Sequence, residues 1–265
     1  KQINMKKHIL IFISVLTLSF TAKAQDNFEY ILLADKEDAS KLLNGYFAPA
    51  MEGFIYGMNN GWYHTAKVHK VLGIDVTVGV SAAIVPQKDE SFTFASLGLS
   101  SLITSTPTSS PTLAGTVVPP SDIVKITIPA NTFQDVNGGN HPALTSEFNM
   151  PDGFKDELPI DATAIPAPSV QVGIGLPFKS EVIVRFFPET KTGDLNAGMY
   201  GVGLKKEITS LFGLSDNSPF HLSLFGNYTK MNLDYDIQQS SAISGSNQRA
   251  EFTLDAYSVE AIASL

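Results

Sequence analysis

The residues that could do chemistry here are few and regularly spaced. Gln171, Glu181 and Arg185 interrupt two apolar runs, SVQVGIG and EVIVRFF. Val170, Val172 and Ile174 alternate with Gln171, Gly173 and Gly175; Val182, Val184 and Phe186 alternate with Glu181, Ile183 and Arg185. Strict alternation predicts two strands, each with one apolar face. Pairing Gly175 with Glu181 leaves Leu176 to Ser180 as the loop. It sets Val170 opposite Phe186, Val172 opposite Val184 and Ile174 opposite Val182, with Gln171 facing Arg185 and Gly173 facing Ile183. A one-residue slip would mix the two sets, so the pattern fixes the register. The chemistry open to Gln171, Glu181 and Arg185 is hydrogen bonding and ion pairing. Arg185 on a lipid face would cost about 2–4 kcal/mol at the midplane. Gln171, Glu181 and Arg185 are therefore expected to face a lumen, and Val182, Val184 and Phe186 to face lipid. A structural ion pair is a plainer role for Arg185 than substrate contact, and Arg185→Gln is expected to be tolerated.

Other chemical patterns are weaker. His64 and His69 are five apart, which puts them on opposite faces of a strand, with no third ligand nearby. Asp234 and Asp236 could hold a divalent cation loosely, but a solvated loop end explains them as well. Gly173-x-Gly175 and Gly201-x-Gly203 open no helix, so they do not read as nucleotide loops; strand glycines more often admit a neighbouring segment. Neither G-x-S-x-G nor H-E-x-x-H occurs. We expect no enzyme, metal site or cofactor.

The elements that position these residues follow an export signal. Met5 to Ala24 reads as a signal peptide: Lys6 and Lys7, then the apolar Ile9 to Phe20, then Ala22-Lys23-Ala24. Cleavage is expected between Ala24 and Gln25. Lys1 to Asn4 precede the expected initiator. Residues 25–67 form an N-terminal segment with an amphipathic helix over Asp35 to Asn60, its apolar positions including Leu42, Tyr46, Ala50 and Phe54. Pro49 is expected to kink or divide it. The helix could plug a lumen, lie on a membrane or cover a rim.

Residues 68–265 read as β. Val68 to Val85 alternates over its length, and Trp62 and Tyr63 just before it sit where an interfacial aromatic girdle would fall. Ser91 to Leu99 and Ile123 to Ile128 suggest strands. Thr104 to Pro120, rich in Ser, Thr and Pro, reads as loop, and Asn131 to Ala167 as turn and loop with short edge pieces. After the hairpin come a polar loop over Pro188 to Asp194, a strand over Leu195 to Lys205, a short helical turn within Lys206 to Asn217, a strand over Pro219 to Tyr235, a loop over Asp236 to Arg249, and a final strand from Ala250.

Bulk composition agrees. Charged residues are 17% of the chain, against roughly 25% in soluble domains, which fits a chain that exposes one face to something other than water. Net charge is −8 with no basic run, which disfavours nucleic acid. There is no cysteine, hence no disulfide and no thiolate site.

Three stretches carry a resemblance: LLNGYFAPAMEGFIYGMNNGWYHTAK (Leu42 to Lys67), VQVGIGLPFKSEVIVRFFP, and GMYGVGLKKEI with PFHLSLFGNYTKMNL. They resemble a domain-of-unknown-function family of exported Bacteroidota outer-membrane β-barrel proteins. More distantly the arrangement is similar to the long-chain fatty-acid transporter class of barrels, whose N-terminal segment enters the lumen. The resemblance implies an outer-membrane location in a Gram-negative cell and carries over no site residues. The expectation is an all-β, antiparallel outer-membrane barrel with an N-terminal amphipathic helix. Its partners would be outer-membrane lipid, the barrel assembly machinery and a small hydrophobic solute. Its work would be channelling or uptake, or else surface display without transport. Because the final strand stops at Leu265 with no turn, the reading frame is expected to continue by at least one strand.

Overall fold

The computed structural model describes residues 31, 34–106, 108–116, 123–128, 144–153, 155–157, 163–192, 195–213, 218–237 and 248–265. The expected signal peptide and the cleavage point expected between Ala24 and Gln25 lie outside these.

Helix α1 spans Lys36–Asn59. Asp35 caps it, its carboxylate accepting from the amides of Glu37 (2.8 Å) and Asp38 (3.2 Å). Glu37 and Asp38 add negative charge to the first turn, where the helix dipole favours it. The helix runs unbroken through Pro49. The proline forfeits one backbone hydrogen bond, but Tyr46 and Ala50 on either side are fully buried, and packing of that face holds the helix together.

Six antiparallel strands form the wall, in the order β1 (Ile74–Ile84), β7 (Ala164–Leu176), β8 (Ser180–Thr192), β9 (Leu195–Glu207), β10 (His221–Ile237) and β11 (Gln248–Ser264). The hairpin of β7 and β8 has the register expected from its alternation, Gln171 opposite Arg185 and Val172 opposite Val184. Leu176 and Ser180 also pair, so the turn is only Pro177 to Lys179, with Phe178 and Lys179 at positive φ. Helix α1 touches β1, β7, β10 and β11, and so meets both edge strands. One helix can do that only if the sheet curls round it. The result is mostly antiparallel β, a half-barrel wrapped on a helix.

Between β1 and β7 the chain builds two small sheets. One pairs β2 (Ser91–Thr93) with β4 (Ser109–Pro111); the other is β3 (Ile103–Thr106), β5 (Ile123–Ile128) and β6 (Leu144–Asn149). They pack on the first half of α1 through Leu42, Tyr46, Phe94, Val124, Ile126 and Phe148.

Several sequence expectations change. The first long strand starts at Ile74, not Val68, because the amides of Val68 and His69 are taken by carboxylates from the wall and Gly73 closes a turn onto Lys70. Ser91 to Leu99 is a strand only to Thr93; a 3-10 turn follows and ends at Gly98, which has φ +61°. The Ser/Thr-rich stretch holds most of β3, where threonine suits a strand, and all of β4. Pro166 and Pro168 lie inside β7, where the chain pairs with β1 alone and needs no second donor row. Strand β8 continues past Pro188 to Thr192 by a register shift between Phe187 and Thr190, a place where proline is tolerated.

Candidate functional site

The inner face of the curl carries a set of buried polar side chains among apolar ones, and it is occupied. Gln171, Glu181 and Arg185 all point inward and are 4%, 2% and 1% exposed. Val182, Val184 and Phe186 lie on the outer face, Val184 49% and Phe186 42% exposed and Val182 half-buried.

Arg185 reaches the C-terminal end of α1. Its Nη1 donates to the carbonyls of Met58 (3.0 Å) and Asn60 (2.8 Å). Nε and Nη2 donate to Gln171 Oε1 (3.2 and 3.0 Å), and Gln171 Nε2 donates to the Gly61 carbonyl (3.1 Å). The guanidinium carbon stands 4.0 Å from the Trp62 ring centre. Helix α1 has no basic residue in its last turn. Arg185 supplies from the wall the cation that a helix C-terminus favours. The expected ion pair is thus replaced by carbonyl and amide partners, with a cation–π contact.

Glu181 serves the chain beyond the helix. Its Oε2 receives the His69 amide, His69 Nδ1 and Lys205 Nζ, each at 3.1 Å. Glu207 does the same one step along, accepting from the Val68 amide (3.4 Å) and contacting His221 Nδ1 (3.1 Å). Lys205 Nζ donates to the Thr65 carbonyl (3.4 Å), Ser223 Oγ to that of Ala66, and the Ala66 amide to Ser264 Oγ (3.1 Å). Tyr63 donates to Glu260. Burial, with the Glu260 carboxylate beside it, pushes the Tyr63 phenol up to about 12. An irregular segment, residues 61–70, is thereby supplied with the partners a strand ladder would have provided.

Glycines make the room. A Cβ on Gly175 would stand 2.1 Å from the Lys70 carbonyl oxygen, and one on Gly203 would stand 2.7 Å from the Phe225 ring and 3.1 Å from Trp62. Trp62 is 1% exposed, packed between Arg185 and Phe225 at 5.7 Å. It belongs to the interior, not to an interfacial girdle. Above it, α1 meets β9, β10 and β11 through Met51, Met58, Met199, Met231 and Leu233.

Lys205, Glu207, His221 and Ser223 were not singled out in the sequence. Their signal was present: Lys205 and Glu207 flank the outward Lys206, and His221 and Ser223 alternate with Leu222 and Leu224. Asp234 and Asp236, weighed as cation ligands, face Arg249 and Lys191 instead. Among the described residues no cluster of three metal-ligating side chains occurs. Nor is any described helix long and apolar enough to cross a membrane, which says nothing of crossing by strands.

Fold and site together define a β-protein whose curled sheet clasps its own N-terminal helix and the segment after it. The chain belongs to a family of unknown function, DUF6588, whose sequence model matches residues 5–265. No curated protein and no solved structure matches the chain.

Proposed function

We propose that this is an outer-membrane β-barrel protein that admits small hydrophobic solutes, with α1 and residues 61–70 occupying its lumen. The observation that carries the reading is the contrast between the two faces of the wall. The inner face holds the charged and hydrogen-bonding groups, while Val76, Val78, Val184, Val202, Leu204, Leu224 and Val259 stand exposed on the outer one. A contiguous apolar face of this kind has no favourable partner in water and a natural one in lipid. A lipid-embedded wall must also close. Within the proposal, the sheet closes through its edge strands, β1 and β11. The export signal over Met5 to Ala24 supports delivery to that membrane by way of the barrel assembly machinery.

The hydrophobic class of solute draws support from the methionines between α1 and the wall. Methionine is unbranched and repacks readily, which suits a contact that must part to let an apolar molecule by. A display or structural role is the second reading. What favours it is that Arg185, Glu181, Lys205 and Glu207 are all spent on holding the segment. Two measurements test the proposal. Heat-modifiable migration in detergent extracts is the membrane test, and a fully soluble, non-modifiable protein would refute it. Uptake of labelled hydrophobic solutes by cells with and without the gene is the transport test. Equal uptake, with membrane insertion intact, would leave the display reading.

A further inference from the structure

The outer face changes character abruptly along the two longest strands. Going up β10 the outward residues are Leu222, Leu224, Gly226 and Tyr228, then Lys230, Asn232, Asp234 and Asp236. On β11 they are Ala263, Ala261, Val259 and Tyr257, then Asp255, Thr253, Glu251 and Arg249. Tyr228 pairs with Tyr257 and Lys230 with Asp255, so both strands switch at the same rung. The neighbours switch one rung higher. Tyr200 on β9 pairs with Lys230 and with Phe186 on β8. Four adjacent strands thus each place one exposed aromatic, Phe186, Tyr200, Tyr228 and Tyr257, where the apolar stretch ends. The Tyr228 hydroxyl donates to Asp255 at 2.5 Å, bridging the two zones. Above them Asp236 pairs with Lys191 (2.6 Å) and Arg249 (3.2 Å).

The other end of the wall is bounded as well. Phe178, Leu211 and Phe212 stand exposed in the turns, and the outward Lys206 donates to the Phe178 carbonyl. From Phe178 to Phe186 the chain advances eight residues. Only those from Ser180 onward lie in the strand, and at about 3.3 Å each they cover about 20 Å, or about 15 Å after a roughly 40° tilt; the turn carrying Phe178 lengthens this toward the apolar band of about 25 Å on membrane barrels. Aromatic residues at both margins, with charge beyond the far one, are the signature of a bilayer.

We infer that lipid covers only the turn-side half of strands β8 to β11. On β10 and β11 its outer margin lies between the Tyr228–Tyr257 rung and the Lys230–Asp255 rung, one rung below the Phe186–Tyr200 margin of β8 and β9, and the rest of β10 and β11 stands clear in water. The inference rests on the membrane reading above and adds to it a depth and a margin. The occupant is a lipid bilayer: a protein partner or a second copy would not require aromatic margins on adjacent strands with a one-rung change to charge.

The chain has no cysteine, so single ones can be introduced into the full chain. Val202→Cys and Val259→Cys lie inside the inferred band; Glu251→Cys and Thr253→Cys lie above it. Each is labelled with an environment-sensitive fluorophore and refolded into phosphatidylcholine vesicles, and heat-modifiable migration verifies the fold. Lipids brominated in the acyl chains then serve as quencher. Loss of fluorescence at 202 and 259, with none at 251 and 253, is the expected result. Quenching at all four overturns the margin and leaves the membrane reading standing. Quenching at none overturns both. Emission shifted to the blue at 202 and 259 without lipid quenching, and dependent on protein concentration, also overturns the inference and assigns the band to contact between copies.

Discussion

The Arg185 guanidinium lies 4.0 Å from the centre of the Trp62 ring while donating to the Met58 and Asn60 carbonyls. One side chain of the wall thus closes the C-terminal end of the inner helix and pins the aromatic residue that follows it. The sequence alone suggested that Arg185→Gln would be tolerated. The geometry reverses that expectation. Charged hydrogen bonds contribute about 1.5–3 kcal/mol each, and orphaned buried carbonyls add a desolvation cost. Arg185→Gln should destabilise the clasped segment by about 2–4 kcal/mol. Proteolysis reads this as new cleavage near residues 58–70; unchanged resistance would show that Arg185 does not hold the segment.

Val184 is the outward neighbour of Arg185. In the membrane reading Val184→Arg, one step inside the aromatic margin at Phe186, should impair assembly, at a cost between the about 2–4 kcal/mol of the midplane and the about 0–1 kcal/mol of the interfaces. Val184→Leu is the control. Heat-modifiable migration scores both. Normal assembly of Val184→Arg would argue against lipid on this face.

Gly175 lets the segment lie against the sheet. Gly175→Ala would set a methyl 2.1 Å from the Lys70 carbonyl, so residues 69–73 must shift. Overpacking of this kind costs about 1–3 kcal/mol. Gly79→Ala, with nothing within 4 Å of the added carbon, should be silent. Denaturation midpoints in detergent separate the two. Equal midpoints would mean the contact is easily relieved.

Asp38 gives a pH dependence with a definite sign. Burial raises its carboxyl, but hydrogen bonds from the Ser100 hydroxyl and amide, with Lys41 nearby, outweigh that and leave it below its usual range. A group lowered in the folded state stabilises above its unfolded value and loses that contribution as pH falls through the folded one. The docking of α1 on the 100–102 turn should therefore weaken below about pH 4. Asp38→Asn should flatten this acid dependence in hydrogen exchange of α1. An unaltered profile would assign it elsewhere.

What was legible in the sequence follows from locality. The β7–β8 register could be read because two residue classes alternate on both strands with one short turn between them. Helix α1 could be read because its cap and apolar face are local. The segment over residues 61–73 could not. From Val68 its alternation suggests a strand, yet the amides of Val68 and His69 bond to Glu207 and Glu181, more than 100 residues away in sequence. Trp62 misled for the same reason, since an aromatic before a strand looks identical whether it ends at an interface or under an arginine. The inward charges Lys205 and Glu207 were visible in the alternation of β9, but only the fold shows what they hold.

Glu181 and Lys205 form the test that best separates holding the segment from merely filling the inside of the curl. Both side chains are 3% exposed, and the carboxylate oxygen that meets Lys205 Nζ also takes the His69 amide. Removing one partner strands the other as a buried charge. Lys205→Met alone should therefore cost about 3–5 kcal/mol. Glu181→Gln alone should cost a similar amount, and it also weakens the acceptor for His69. The double variant removes both charges, while the glutamine can still accept the His69 amide. Replacing a whole buried pair is often near neutral, so the double variant should recover most of the loss. Unfolding of the four proteins in detergent gives the cycle, and protease cleavage within residues 61–70 reports on the segment. Additive losses in the double variant would show that the two groups act independently, and that Glu181 holds the segment without help from Lys205.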